Sequence, residues 1–372
     1  MPPNTKMTKC PPPHPGPFSR AYHRTASLFG FTHPSSFPLY ILTAGALFAF
    51  SLSRLPYLDL STRFRPSSIP GEWFHLRSGH RRAGILLHLI GVLFGSLLAV
   101  HQFTPALRHK WPMVHRVIGH VAILLFLMGN AGAFMILDTS VGGTPAMQLW
   151  TGLVGSGTTV AVVLAYVNVK RRQIDQHRAW MLRTWGWAGS IITLRLILGI
   201  GMGASFAVGA EFEGVFRCEE VVFMYENTGV RDGWGVVRGK YPACSGVGTE
   251  AMRVVVTSEG GGPEGSAVRL RAIFLMAAWL AIAIHVALVE LYLALTPGES
   301  HRLRVLSRER QIARGKITAE SEKEAGLGAG RLGDAPKWWN REVKPVDEVV
   351  GLDHTAKAVE ADDEAGKKSE GV

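Results

Sequence analysis

Residues 177–195, HRAWMLRTWGWAGSIITLR, decide how the chain reads. His177, Arg178 and Arg183 crowd the start of this stretch, an apolar run follows, and Arg195 stands inside the run. An arginine near the centre of a membrane helix costs about 2.5–3.5 kcal/mol on insertion scales, so it should face the bundle and find a partner. The formal net charge of +11 would suggest nucleic acid in a water-soluble protein. Here the basic residues flank runs of about 20 apolar residues, the length a bilayer-spanning helix needs, so lipid and topology account for the charge and no nucleic-acid partner is expected.

Working outward from that stretch, the pattern predicts an all-α integral membrane protein of about six transmembrane helices in a lipid bilayer. Residues 1–35 read as a disordered, basic, Pro-rich tail, 36–58 as the first span and 59–81 as a basic loop, with Trp73 and Phe74 placed for a membrane interface. Residues 82–207 hold spans two to five as a four-helix core. In the fourth span the small residues Gly152 and Ser156 suit close helix approach. Residues 208–266 form a polar extracytosolic insert, 267–296 the sixth span, and 297–372 a charged, largely disordered cytosolic tail. The Trp338–Trp339 pair in that tail reads as an interface contact or a partner motif.

Orientation follows from Lys and Arg in the short links. Arg108, Lys110 and the KRR at 170–172 put those links and both termini in the cytosol; the basic 59–81 loop alone disagrees. The Arg-rich segment 300–316 then meets an anionic leaflet. PPPHPGP at 11–17 forbids the amphipathic helix of a mitochondrial leader, which favours an endomembrane or plasma membrane. The insert lies where thiols oxidise, so Cys218 and Cys244 are expected to pair.

Depth divides the ionisable groups into two layers. Arg195 lies 18 residues beyond His177, about 27 Å at the helical rise, so it belongs to the outer half with His88 and Asp138. An outer pocket follows, in which Arg195 meets Asp138, His88 or the anionic group of a small-molecule ligand; the alternative is that Arg195 snorkels to the headgroups. Arg183 and Trp180 are further ligand-binding candidates. The cytosolic histidines invite a second reading, haem b held between paired axial ligands drawn from His115, His177, His88, His101 and His120. Interfacial phosphate contact explains the same residues, and a non-catalytic membrane scaffold is the third reading. His285 reads as a bundle-facing hydrogen-bonding residue. There is no CxxC or HExxH metal motif, no P-loop and no hydrolase elbow, so no metal site or catalytic residue is assigned.

VHRVIG at 114–119, KRRQIDQHRAWMLR at 170–183 and TLR at 193–195, with His88, Gln102–Phe103 and the Gly-rich turn after the third span, resemble domain of unknown function 2306, a family of multi-pass membrane proteins. The resemblance covers about residues 82–207 and implies a four-helix membrane core without an established activity. The matching positions are His88, His115, Arg116, His177, Arg178, Trp180, Met181, Arg183 and Arg195. The chain departs from the pattern at His101 and His120, which the family does not require, and in the 208–266 insert and the long tail.

Overall fold

The computed structural model describes residues 16–31 and 36–315. Among the described residues, six helices are long and apolar enough to cross a membrane: Ser36–Leu58, Gly79–Gln102, Pro112–Met135, Pro145–Lys170, Ile174–Ala207 and Gly262–Leu295. The all-α membrane architecture is thereby met. In chain order, α1 (Pro17–Leu28) precedes α2 (Ser36–Arg54), and the short helices α3 (Arg65–Ser67) and α4 (Glu72–Leu76) lead to α5 (Gly79–Gln102). After α6 (Pro105–Lys110) come α7 (Pro112–Met135), α8 (Pro145–Lys170), α9 (Ile174–Ala188) and α10 (Ser190–Ala207). A small lobe follows, built from β1 (Glu213–Arg217), α11 (Cys218–Asn227), α12 (Gly233–Lys240) and β2 (Arg253–Thr257). Finally α13 (Gly262–Leu295) crosses back and α14 (Pro297–Ile312) ends the described chain.

One expected coil is helical: α1 lies inside the 1–35 segment read as disordered, and Pro17 occupies its first turn, where a missing N–H costs nothing. α14 covers most of the Arg-rich part of the tail, 300–316, read as a basic amphipathic segment. There Ser307 donates to Asp175 at 2.9 Å and accepts from the Ile174 amide at 2.8 Å. Arg304, buried, lies 3.6 Å from Asp175 and so faces protein, not a leaflet. Cys10, Trp338–Trp339 and the acidic end of the tail lie outside the described residues.

Glycine sets the tightest helix pair. A Cβ on Gly91 would run into the backbone of Gly129, and one on Gly132 into that of His88, so α5 and α7 touch main chain to main chain. Small residues matter in lipid because association there rests on close packing rather than on expulsion of water. Gly91→Leu is expected to force the pair apart at about 1–3 kcal/mol or more, the range for overpacked cores, read as a fall in thermal stability in detergent. The expected contact through Gly152 and Ser156 is not made: Gly152 faces open space and Ser156 is exposed. Gly155, one turn along α8, is the glycine that packs, against the Phe134 ring.

Nor do spans two to five close a bundle by themselves, because α13 packs along α9 and α10. The seam between α9 and α10 has a local cause. His285 of α13 donates from Nδ1 to the Gly186 carbonyl at 2.6 Å, taking the acceptor that the Ser190 amide would use in an unbroken helix. Its Nε2 lies 2.8 Å from the Thr193 hydroxyl.

The insert is more ordered than its polar composition suggests. β1 and β2 pair antiparallel with Val215 opposite Val255. Along β2 the side chains alternate, Val254 and Val256 inward and Val255 outward, as strand geometry demands. Phe216, Val221, Val237 and the inward valines form a core, and a disulfide joins Cys218 to Cys244. Glu264, fully buried where α13 begins, holds Lys240 at 2.6 Å and the Tyr225 hydroxyl at 2.9 Å.

Candidate functional site

Between the spans, a cavity of about 470 Å³ runs from the turns next to the lobe to Ser96, Thr158 and Trp185 inside the helices. That volume is typical of a small-molecule site. Most of the wall is apolar and aromatic, with Phe50 from α2, Phe126 from α7, Trp150 from α8 and Phe274 from α13. Polar groups enter from separate elements: His88, Arg195, Glu72, Arg54, Tyr57 and Asn130.

Each is positioned by local chemistry. His88 sits where α5 meets α7, and its Nδ1 donates to the Gly129 carbonyl at 2.9 Å. That bond leaves Nε2 as an acceptor. Asn130, one position further along α7, gives its amide hydrogens to the Thr159 and Thr158 hydroxyls at 2.9 and 3.2 Å, as a buried amide in an apolar span must. Arg195 projects from α10 with its guanidinium 5.3 Å from the centre of the Phe274 ring, and among the described residues it makes no hydrogen bond or ion pair. Arg54 bonds the Tyr57 hydroxyl at 2.7 Å and stacks on the Tyr57 ring.

Glu72 brings the only carboxylate between Asp59 and Asp138 to the cavity wall. Burial pushes its carboxyl above the ordinary glutamate value, against the pull of Arg271 and, less strongly, of the Val141 backbone and Arg195. Val141 stands in the turn between α7 and α8 at φ 51, a left-handed conformation that a β-branched residue adopts only under strain of about 1–3 kcal/mol. It is buried against Met147, Leu194 and Phe274, which hold it there.

Behind Glu72 a chain of charges leads into the lobe. Arg271 of α13 reaches Glu220 of α11 at 2.6 Å, and His75 of α4 approaches the same oxygen at 3.5 Å. Burial raises the Glu220 carboxyl, but His75 and Arg271 outweigh it and hold the group below its ordinary value.

The candidates named from sequence divide accordingly. Arg195 and His88 share the cavity. Asp138 does not line it; it is more than half exposed and pairs with Arg81 at 2.5 Å, so the expected meeting of Arg195 with Asp138 is replaced by the proximity of Glu72. Arg183 is engaged away from the cavity, in a two-pronged pair with Glu290 at 2.7 and 2.8 Å, and its guanidinium lies over the Trp180 ring at 4.7 Å. The haem candidates are dispersed. His101 and His120 are exposed and each bonds a carbonyl one turn back on its own helix, so they do not form the facing pair. His115 and His177 are neighbours at the end of the bundle away from the lobe, where His177 bonds the Ala165 carbonyl at 2.9 Å. Among the described residues, no three His, Cys, Asp or Glu side chains gather as a metal site.

Sequence reading missed Glu72, Asn130, Arg54 and Tyr57. Asn130 had a signal, an amide in mid-span, and Glu72 had another, an isolated acid in a strongly basic region. Trp73 and Phe74 are not an interface pair: Trp73 is buried with Leu60, Leu76 and Leu89, and Phe74 packs on Phe223 of the lobe.

Fold and cavity together define a helical membrane protein, with six candidate spans among the described residues and a largely apolar chamber between them that a few polar groups enter. Within that class, residues 85–214 match the family described as predicted membrane protein (DUF2306), which covers α5 from Ile85 to the start of β1. The chain is also 26% identical, over 318 residues, to Ava biosynthesis cluster protein G of Aspergillus versicolor, an alignment spanning 71% of this chain and 90% of that protein. No solved structure matches it.

Proposed function

We propose that the protein binds, and carries within the bilayer, a small polar or anionic molecule or an amphipathic lipid seated in the cavity between its spans. One observation carries this reading: Arg195 enters an apolar chamber without a hydrogen bond from any described residue, beside the open Nε2 acceptor of His88. Arg195 stays open on the chamber side instead of being packed against a protein acceptor; an arginine in a membrane helix needs a partner, and a ligand supplies one. The similar Aspergillus versicolor protein bears the name of a biosynthesis cluster, which suits a small-molecule ligand. In this reading the disulfide-bonded lobe faces the extracytosolic side, where thiols oxidise.

Extraction and mass spectrometry of compounds that copurify with the protein test the proposal. Wild-type protein is expected to retain a compound that Arg195→Leu loses. Ala133→Phe, which fills the chamber from α7, should lose it too. Re-addition of the compound at about a hundred times its Kd should stabilise the wild type by about 2.7 kcal/mol and leave both variants unmoved. A folded Arg195→Leu protein that retains the same compounds with the same affinity overturns the role of Arg195, and a wild-type protein that retains none sinks the idea in favour of a scaffold.

A further inference from the structure

Resting on that reading, we infer that the ligand's head group is an anion on an apolar tail, and that it takes Arg195 in competition with Glu72, a specificity-determining residue built into the chamber wall. The polar end of the cavity carries two arginines, Arg54 and Arg195, against one carboxylate, Glu72. Arg54 is occupied by Tyr57 and its ring. Glu72 is near enough to Arg195 and Arg271 to feel both charges, yet closes an ion pair within 4.0 Å with neither. The chamber is therefore one anion short of neutrality at its polar end, and the rest of its wall is mostly apolar and aromatic.

Geometry makes the exchange proton-linked. Glu72 is faced by Arg271 from α13 and Arg195 from α10; Arg54 and Tyr57 face Arg195 from the α2 end, and His88 lines the chamber from α5. His75, on the same helix as Glu72, and Glu220, from α11, converge on the far side of Arg271. When an anionic head group takes Arg195, the Glu72 carboxylate loses one of its two supporting cations and gains a like charge. It then takes one proton from solvent, so the bound state holds a ligand anion and a neutral Glu72 carboxyl, and no covalent bond is made or broken. Burial already favours that neutral form.

The test uses the full-length protein in nanodiscs of phosphatidylcholine, with decanesulfonate, decanol and decyltrimethylammonium as probes. Decanesulfonate, ionised at every pH used, is expected to bind more tightly than decanol, and decyltrimethylammonium not at all. Over the pH range in which Glu72 gives up its proton in the empty chamber, the affinity for decanesulfonate should fall with rising pH, by at most about tenfold per pH unit, while that for decanol stays flat. Glu72→Gln, a substitution of nearly the same shape, should bind decanesulfonate about tenfold more tightly at the upper end of that range and without its pH dependence. Nanodiscs containing phosphatidylglycerol distinguish the source of the anion: competition with decanesulfonate assigns the site to a membrane lipid, and its absence to a free amphipathic anion. Equal affinity for decanesulfonate and decanol, or an unchanged pH profile in Glu72→Gln, overturns the inference while leaving a ligand chamber in place. Failure of all three probes to bind overturns both readings.

Discussion

Arg271→Met is expected to destabilise the protein by about 3–5 kcal/mol, the cost of stranding one member of a buried ion pair. The side chains of Arg271 and Glu220 keep only 13% and 7% of their surface, and the pair ties the membrane helix α13 to the disulfide lobe. Once Arg271 is gone, Glu220 retains His75 at 3.5 Å as its near partner. The double variant Arg271→Met, Glu220→Gln should recover much of the loss, because the uncompensated carboxylate is removed as well. The pH dependence has a definite sign. Glu220 titrates below the ordinary glutamate value of 4.5 in the folded protein, so the folded state binds that proton more weakly than the unfolded state. Its stabilisation is therefore fully present above 4.5 and is lost as the pH falls through the lower, folded value. Thermal unfolding in detergent should show that acid step in the wild type and not in Glu220→Gln. Hydrogen exchange should place the opening in the lobe and α4. A stable Arg271→Met protein with an unchanged lobe would show that the disulfide and the valine core hold the lobe unaided.

The spans were legible because a bilayer imposes one crude rule, an apolar run of sufficient length, and the described residues obey it six times. Arg195 and His88 were legible as a site for the same reason, since lipid leaves an ionisable side chain nowhere to hide. Glu72 was not. It sits outside the apolar runs, in a segment whose basic flanks read as a surface loop, and only tertiary folding lays α4 over the open end of the chamber. Trp73 failed for a related reason: an aromatic beside a span suits either an interface or a core, and Leu60, Leu76 and Leu89 settle it as core. Helix faces were equally hidden in α8, where Gly152 and Gly155 are alike in sequence and only Gly155 meets a neighbour, the Phe134 ring. The lobe core rests on short alternating valines, a period-two signal too brief to stand out in a polar stretch until β1 is paired with β2.

Arg183→Met is expected to cost about 3 kcal/mol, the lower end of the range for breaking a buried pair, because Glu290 keeps 45% of its side-chain surface and can turn toward the end of α13. Arg183 itself lies nine residues into α9, about 14 Å along the helix, and is 7% exposed. It is held by both oxygens of Glu290 and by the face of Trp180. Glu290→Leu takes its carboxylate from the more deeply buried partner, whose side chain keeps 9% of its surface against 45% for Glu290, so this variant should be the worse of the two. The double variant Arg183→Met, Glu290→Leu removes both charges and fills the gap with apolar side chains, so it should recover to within about 1 kcal/mol of the wild type. SDS titration of the purified protein supplies all four corners of the cycle. A large coupling energy there would make this pair the clamp that joins α9 to α13 on the far side of the His285 contact. Because neither residue lines the chamber, all three variants that remain folded should bind its ligand as the wild type does. A selective loss of ligand in a stable double variant would instead extend the site to the rim of the bundle.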